Sequence, residues 1–146
     1  MTLDLVEQKQ TATAALEPNA VTAPAERAAT GLHLIGDLYE CAGEAGVMVD
    51  ADTLRGRCLR LVRESGLTVA GDYFHQFGEG GGVTGMVVLM ESHMSVHTWP
   101  EKGYVTVDVY VCNYSTDNRG KAQRLFQGLV DTFKPSDPRL VAVDRA

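Results

Sequence analysis

At 146 residues the chain has room for one hydrophobic core and one domain. A formal net charge of −6 argues against a general nucleic-acid surface, and no apolar run nears the roughly 20 residues that span a bilayer. Three widely spaced cysteines, Cys41, Cys58 and Cys112, form no CxxC pair, which speaks against a disulfide framework or zinc knuckle and for free thiols in a reducing compartment.

Residues 1–30 are rich in Ala, Thr, Pro and Glu and carry Asp4, Glu7, Lys9 and Glu17 with no apolar block. They read as a flexible extension rather than a secretory signal, so a cytoplasmic location is expected. The ordered domain, residues 31–146, starts near Gly31. Leu32, Leu34 and Tyr39 mark a first strand ending at Cys41. Asp50 or Asp52 can cap a helix over about Thr53–Ser65, whose Leu54, Cys58, Leu61 and Val62 make one apolar stripe and which Gly66 terminates.

Strands follow at Leu67–Phe77 and Val83–Glu91, joined by Gly78-Glu79-Gly80-Gly81-Gly82. The glycine run fits neither GxGxxG nor a Walker loop and reads as a hairpin connection. In Tyr104–Cys112 the valines 105, 107, 109 and 111 share one face, which leaves Cys112 on the polar, aromatic face. A second helix covers Arg119–Phe133, capped by Asp117 and buried through Ala122, Leu125, Phe126, Leu129, Val130 and Phe133. Pro135 and Pro138 stop it, and Leu140–Val143 can form a last edge strand. The order β-α-β-β-β-α-β predicts an α+β two-layer sandwich, a largely antiparallel sheet with two helices on one face.

The chemistry gathers in Glu91-Ser92-His93-Met94-Ser95-Val96-His97-Thr98-Trp99-Pro100-Glu101, with Cys112 beyond it. A Ser-His hydrolase lacks its GxSxG turn, because Ser92 lies between Glu91 and His93. A metal site built on His93, His97 and Cys112 would need residues 93–97 to be helical, and Pro100 and the strand-like flanks oppose that. Two structural histidines at a strand end are the plain alternative.

Four segments change the balance: FHQF (Phe74–Phe77), GVTG (Gly82–Gly85), the ESHMSVHTWPE block, and VDVYVC ending at Cys112. Over about Gly31–Phe133 the chain resembles the bacterial S-adenosylmethionine decarboxylase proenzymes. The resemblance implies that the chain cuts its own Glu91–Ser92 bond, giving a β chain (1–91) and an α chain (92–146) that stay together through a shared sheet. The Ser92 hydroxyl attacks the Glu91 carbonyl to form an ester. β-Elimination and hydrolysis then leave a pyruvoyl group, the covalent cofactor, at residue 92.

By the same resemblance, His97 transfers the proton in the elimination, and Thr84 stands where relatives often carry a serine that supports processing. The pyruvoyl ketone forms a Schiff base with the substrate amine and takes up the electrons left by CO2 loss. Cys112 then reprotonates the carbon. Phe77 or Trp99 is expected to stack on adenine and Glu101 to hold the ribose, with no metal. The hairpin after Phe77 is one residue longer than in shorter relatives, and Asn113 replaces a common glycine.

The expected reaction is decarboxylation of S-adenosylmethionine for spermidine synthesis, in a homodimer of αβ units with neither nucleic acid nor membrane as partner. Decarboxylation of ornithine or arginine on the same scaffold is the near alternative. An unprocessed, ligand-binding paralogue is the distant one.

Overall fold

Alternating burial along the strands builds one sheet. In a computed structural model, which describes residues 30–146, the order is β1 (Gly31–Cys41), α1 (Gly46–Val49), α2 (Ala51–Ser65), β2 (Val69–Gln76), β3 (Val83–Leu89), β4 (Ser92–Trp99), a 3-10 turn (Pro100–Lys102), β5 (Tyr104–Cys112), α3 (Arg119–Phe133) and β6 (Pro135–Arg145). The expected flexible extension lies outside the described residues, except for Thr30. All six strands pair antiparallel, in the order β2-β3-β4-β5-β1-β6.

One sheet face carries the core. Val105, Val107, Val109 and Val111 of β5 are fully buried, as are Leu54, Cys58 and Val62 of α2 and Ala122, Leu125, Leu129 and Phe133 of α3. α2 lies on β2 and β3, α3 lies on β1 and β5, and the two helices touch each other. Phe133 is among the largest buried side chains, and truncating such a residue to alanine costs about 3–5 kcal/mol. Leu61, expected in the α2 stripe, is only half-buried, while Leu59 is buried. The α+β two-layer architecture is as predicted, with the short α1 as an additional helix.

The helix ends follow local chemistry. Asp50 caps α2 by accepting from the Thr53 N–H at 3.0 Å, and Gly66 closes it at φ 92°, a left-handed value that favours glycine. The glycine run makes the expected hairpin: Gln76 pairs with Val83, and the Phe77 N–H donates to the Gly82 carbonyl at 2.9 Å. Gln76 fastens this hairpin to the helical layer. Its side chain accepts from the Ala51 N–H at 2.7 Å and donates to the Val49 carbonyl at 2.9 Å.

Three expectations need correction. The sheet has six strands where five were expected, because the ESHMSVHTW stretch is itself a full strand, β4. Its core side is Met94, Val96 and Thr98, and the polar Thr98 masks the alternation. The last strand is much longer than Leu140–Val143 and starts at Pro135. It lies at the sheet edge, where a residue without an N–H is tolerated. The residue before α3 is Asn118; Asp117 accepts from the Arg119 N–H at 3.1 Å, while the Asn118 side chain makes no capping bond and serves other partners.

Candidate active site

None of the described helices packs on the second sheet face, and most of the predicted site residues fall on it or at its rim. Ser92, at the start of β4, pairs with the core-facing Leu89 and Val111. The site residues form two groups. The first is a cavity of about 290 Å³ lined by Phe77, Gly82, Thr84, His97, Thr98, Trp99 and Glu101. Thr84 and His97 are register partners on β3 and β4, and Thr84 Oγ1 lies 3.1 Å from His97 Nδ1. That bond fixes the imidazole by one nitrogen and leaves Nε2 to face other groups.

The floor and wall of this cavity are held from below. Buried Thr98 accepts from the Val83 N–H at 2.9 Å and donates to the Met48 carbonyl at 2.7 Å. Trp99 stacks on Tyr104 at 5.1 Å, and Tyr104 stacks on Tyr39 at 4.8 Å. The Tyr104 hydroxyl donates to Asp37 at 2.9 Å. Burial, and then this bond to Asp37, push the Tyr104 hydroxyl far above its ordinary range, so it stays protonated as a donor. Pro100 opens the 3-10 turn that carries Glu101 to the rim, and Gly103 closes it at φ 58°. Phe77 is 57% exposed and meets His75 edge-on at 4.6 Å.

The second group lies at the other end of β4. Leu89 pairs with Ser92 across a connection of two residues, Met90 and Glu91. Such tight hairpins favour positive φ at their central residues. Here Ser92 has φ 119°, while neither Met90 nor Glu91 is among the residues with positive φ. The unfavourable backbone state thus falls on the residue after the Glu91–Ser92 bond, and such a state stores on the order of 1–3 kcal/mol. The Cys112 N–H donates to the Glu91 carbonyl oxygen at 3.3 Å. Cys112 is half-buried at the end of β5, on the open face as the strand alternation predicted.

The Glu91 carboxylate is also tied down. It accepts from the Ser115 N–H at 3.2 Å, from the Ser115 hydroxyl and from the Asn118 amide. The Ser115 hydroxyl is the main cause holding its pKa below the ordinary value, with Asn118 and the charge of Lys121 adding to it. Sequence reasoning named neither Ser115 nor Asn118, because their target lies far back in the chain.

The open face does not bring His97 to Ser92 within one chain. Five residues of extended strand separate them, roughly 16 Å. The same geometry bears on a metal pair, since His93 and His97 on a strand stand about 13 Å apart. Among the described residues no group of three or more His, Cys, Asp and Glu is arranged to hold a metal ion. None of the described helices is long and apolar enough to cross a membrane. Burial pushes the Cys58 thiol up to about 12 and the Cys41 thiol up to about 11.

Residues 32–146 match the model of the S-adenosylmethionine decarboxylase family. An S-adenosylmethionine decarboxylase proenzyme of Archaeoglobus fulgidus is 34% identical over 115 residues, 79% of this chain and 96% of the relative. An arginine decarboxylase proenzyme of Aeropyrum pernix is 37% identical over 117 residues, 80% of this chain and 84% of the relative. The crystal structure of the adenosylmethionine decarboxylase from Aquifex aeolicus superposes with a TM-score of 0.72 at 32% identity, covering 82% of this chain and 93% of that one. With the sheet, the ESHMSVHTWPE strand and the Cys112 contact already in place, these matches make the chain a member of the S-adenosylmethionine decarboxylase family, a family of carboxy-lyases.

Proposed function

We propose that the chain is a proenzyme that cuts its own Glu91–Ser92 bond and then decarboxylates S-adenosylmethionine, forming the aminopropyl donor for spermidine. The observation that carries this reading is the state of the bond itself. A serine held at φ 119° follows a carbonyl whose oxygen accepts the Cys112 N–H at 3.3 Å. Strain on the leaving side and a donor on the oxygen are what an N→O acyl shift requires.

A pyruvoyl group at residue 92 would supply a ketone for the substrate amine and a sink for the electrons left by CO2. The surrounding residues do the rest. Cys112, which follows the register partner of Ser92 in β5 and whose N–H meets the Glu91 carbonyl, returns a proton to the substrate carbon. Trp99 and Phe77 offer aromatic walls for adenine, and Glu101 accepts from ribose hydroxyls at the rim of the same cavity. His97, steadied by Thr84, moves the proton for the elimination through Nε2.

The separation of the two groups along β4 favours a dimer. Two copies laid open face to open face, in reversed directions, would set the Thr84–His97 end of one against the Ser92–Cys112 end of the other. Tyr73, Met86 and Val88, between 42% and 69% exposed on this face, would be covered. A homodimer of αβ units is therefore part of the proposal.

The test has two steps. Intact-mass spectrometry of purified protein should find two fragments meeting at residues 91 and 92, with the α chain blocked at its N-terminus. CO2 release from labelled S-adenosylmethionine, arginine and ornithine then ranks the substrates. The Aeropyrum pernix relative keeps arginine as the second reading. Release from arginine alone would replace the proposed substrate; an uncut chain with no release would leave a ligand-binding paralogue.

A further inference from the structure

The contacts around the bond to be cut converge on the Asn118 side chain. We propose that Asn118 is a positioning residue for self-cleavage, an inference that rests on the reading of the chain as a self-processing proenzyme. Asn118 is 3% exposed, and its amide nitrogen spends both hydrogens. One goes to the Glu91 carboxylate and the other to the Cys112 carbonyl at 2.9 Å. Its backbone N–H donates to Asn113 Oδ1 at 2.8 Å, which fixes Asn118 from behind.

The two acceptors are the residues that must meet. Glu91 carries the carbonyl that is attacked, and Cys112 carries the N–H that faces its oxygen. Asn118 therefore sets the spacing between them without touching either reacting atom. In the acyl shift the Ser92 hydroxyl oxygen bonds to the Glu91 carbonyl carbon. The hydroxyl proton passes to the departing Ser92 nitrogen, the C–N bond breaks, and an ester and a free amine result. Between these states the carbonyl oxygen carries a negative charge. The Cys112 donor at 3.3 Å is slightly beyond the usual range and stabilises that charge when it closes in.

Asn118 also manages a charge of the same sign as the one that develops. The Glu91 side chain is an anion close to the developing one, and like charges raise the barrier in a partly buried site. Asn118 and Ser115 together bind both carboxylate oxygens and hold them off the carbonyl. An amide suits this place because it donates twice and carries no charge. An aspartate of the same shape would have no hydrogen to offer when ionised and would repel Glu91.

The experiment follows self-cleavage by intact mass after rapid purification of wild type, Asn118→Ala and Asn118→Asp, with thermal melting to establish that each variant is folded. N118A should cut roughly 10- to 100-fold more slowly, as expected when reacting groups drift by about an ångström. The near-isosteric N118D, which guards against an N118A variant that fails to fold, should be slow at neutral pH and speed up relative to wild type as its carboxyl protonates. A purely structural role would not produce that pH profile. A wild-type chain that stays intact sinks the self-cleavage reading and the role of Asn118 with it. Wild type cutting while N118A, or N118D across the pH range, keeps pace would overturn the Asn118 assignment alone.

Discussion

Thr84 Oγ1 and His97 Nδ1 stand 3.1 Å apart on neighbouring strands, so the imidazole is aimed by a hydroxyl. Thr84→Ser keeps the oxygen and should process within about threefold of wild type, whereas Thr84→Ala should slow processing about tenfold, the effect of losing about 1.4 kcal/mol. His97→Ala should stall later, at the elimination. Its chain should retain its full mass yet split under hydroxylamine, a strong external nucleophile that takes the acyl group from an ester at residue 91 and leaves an amide alone. Time courses with and without hydroxylamine check both.

The positive φ of Ser92 can be weighed directly. Ser92→Ala and Ser92→Gly both remove the hydroxyl and leave an uncut chain. Glycine accepts φ 119° at little steric cost. The S92G precursor should therefore be more stable than S92A by about 1 kcal/mol, net of the extra chain entropy of glycine. Urea unfolding of the two variants reads this difference, and an S92A chain as stable as S92G would remove strain from the account.

Glu91 gives the precursor a pH dependence of known sign. Its folded pKa lies below its ordinary value of 4.5, chiefly through the Ser115 hydroxyl. The stabilisation is fully present above that ordinary value and is lost as pH falls through the lower folded one. In the S92A background, Glu91→Gln should remove this dependence. The melting-temperature gap between the two chains should narrow from about pH 7 to about pH 3.

Trp99 and Glu101 are where the proposed substrate would be told from its rivals. If adenosine docks in the cavity they line, Trp99→Ala and Glu101→Gln should each raise KM for S-adenosylmethionine about tenfold, the scale of one lost stacking or hydrogen-bonding contact. They should do so with little change in the extent of self-cleavage. Steady-state kinetics on fully processed protein provides the numbers, and an unchanged KM would move adenine elsewhere.

The elements that were legible in the sequence are those in which burial and polarity agree. Val105 to Val111 alternate with polar residues and are buried as that alternation demands; the α3 stripe likewise. β4 was missed as a strand because Thr98, one of its three core-facing residues, is polar. Its hydroxyl is satisfied by Met48 and Val83, and partners so distant leave no local trace. Asn118 was hidden for a similar reason. It sits where a helix cap is expected, and only the fold brings Glu91, 27 positions earlier, against it. Resemblance named Phe77, Thr84, His97, Trp99 and Glu101, and they line one cavity. Their distance from Ser92 is a matter of strand length, visible only once His93 to Trp99 are known to be extended.

If the chain is cut as proposed, the strand order binds its fragments together. A cut after Glu91 leaves β1, β2 and β3 in one fragment and β4, β5 and β6 in the other, yet β1 sits between β5 and β6. The fragments are interleaved like shuffled cards, joined along three seams: β3 with β4, β5 with β1, and β1 with β6. Neither can leave without dismantling the core, so the nicked protein should persist as a unit at high dilution. Unfolding would then be a dissociation, and recovery would require two different chains to find each other. An uncut chain can refold alone; a chain cut after Glu91 would have given that up.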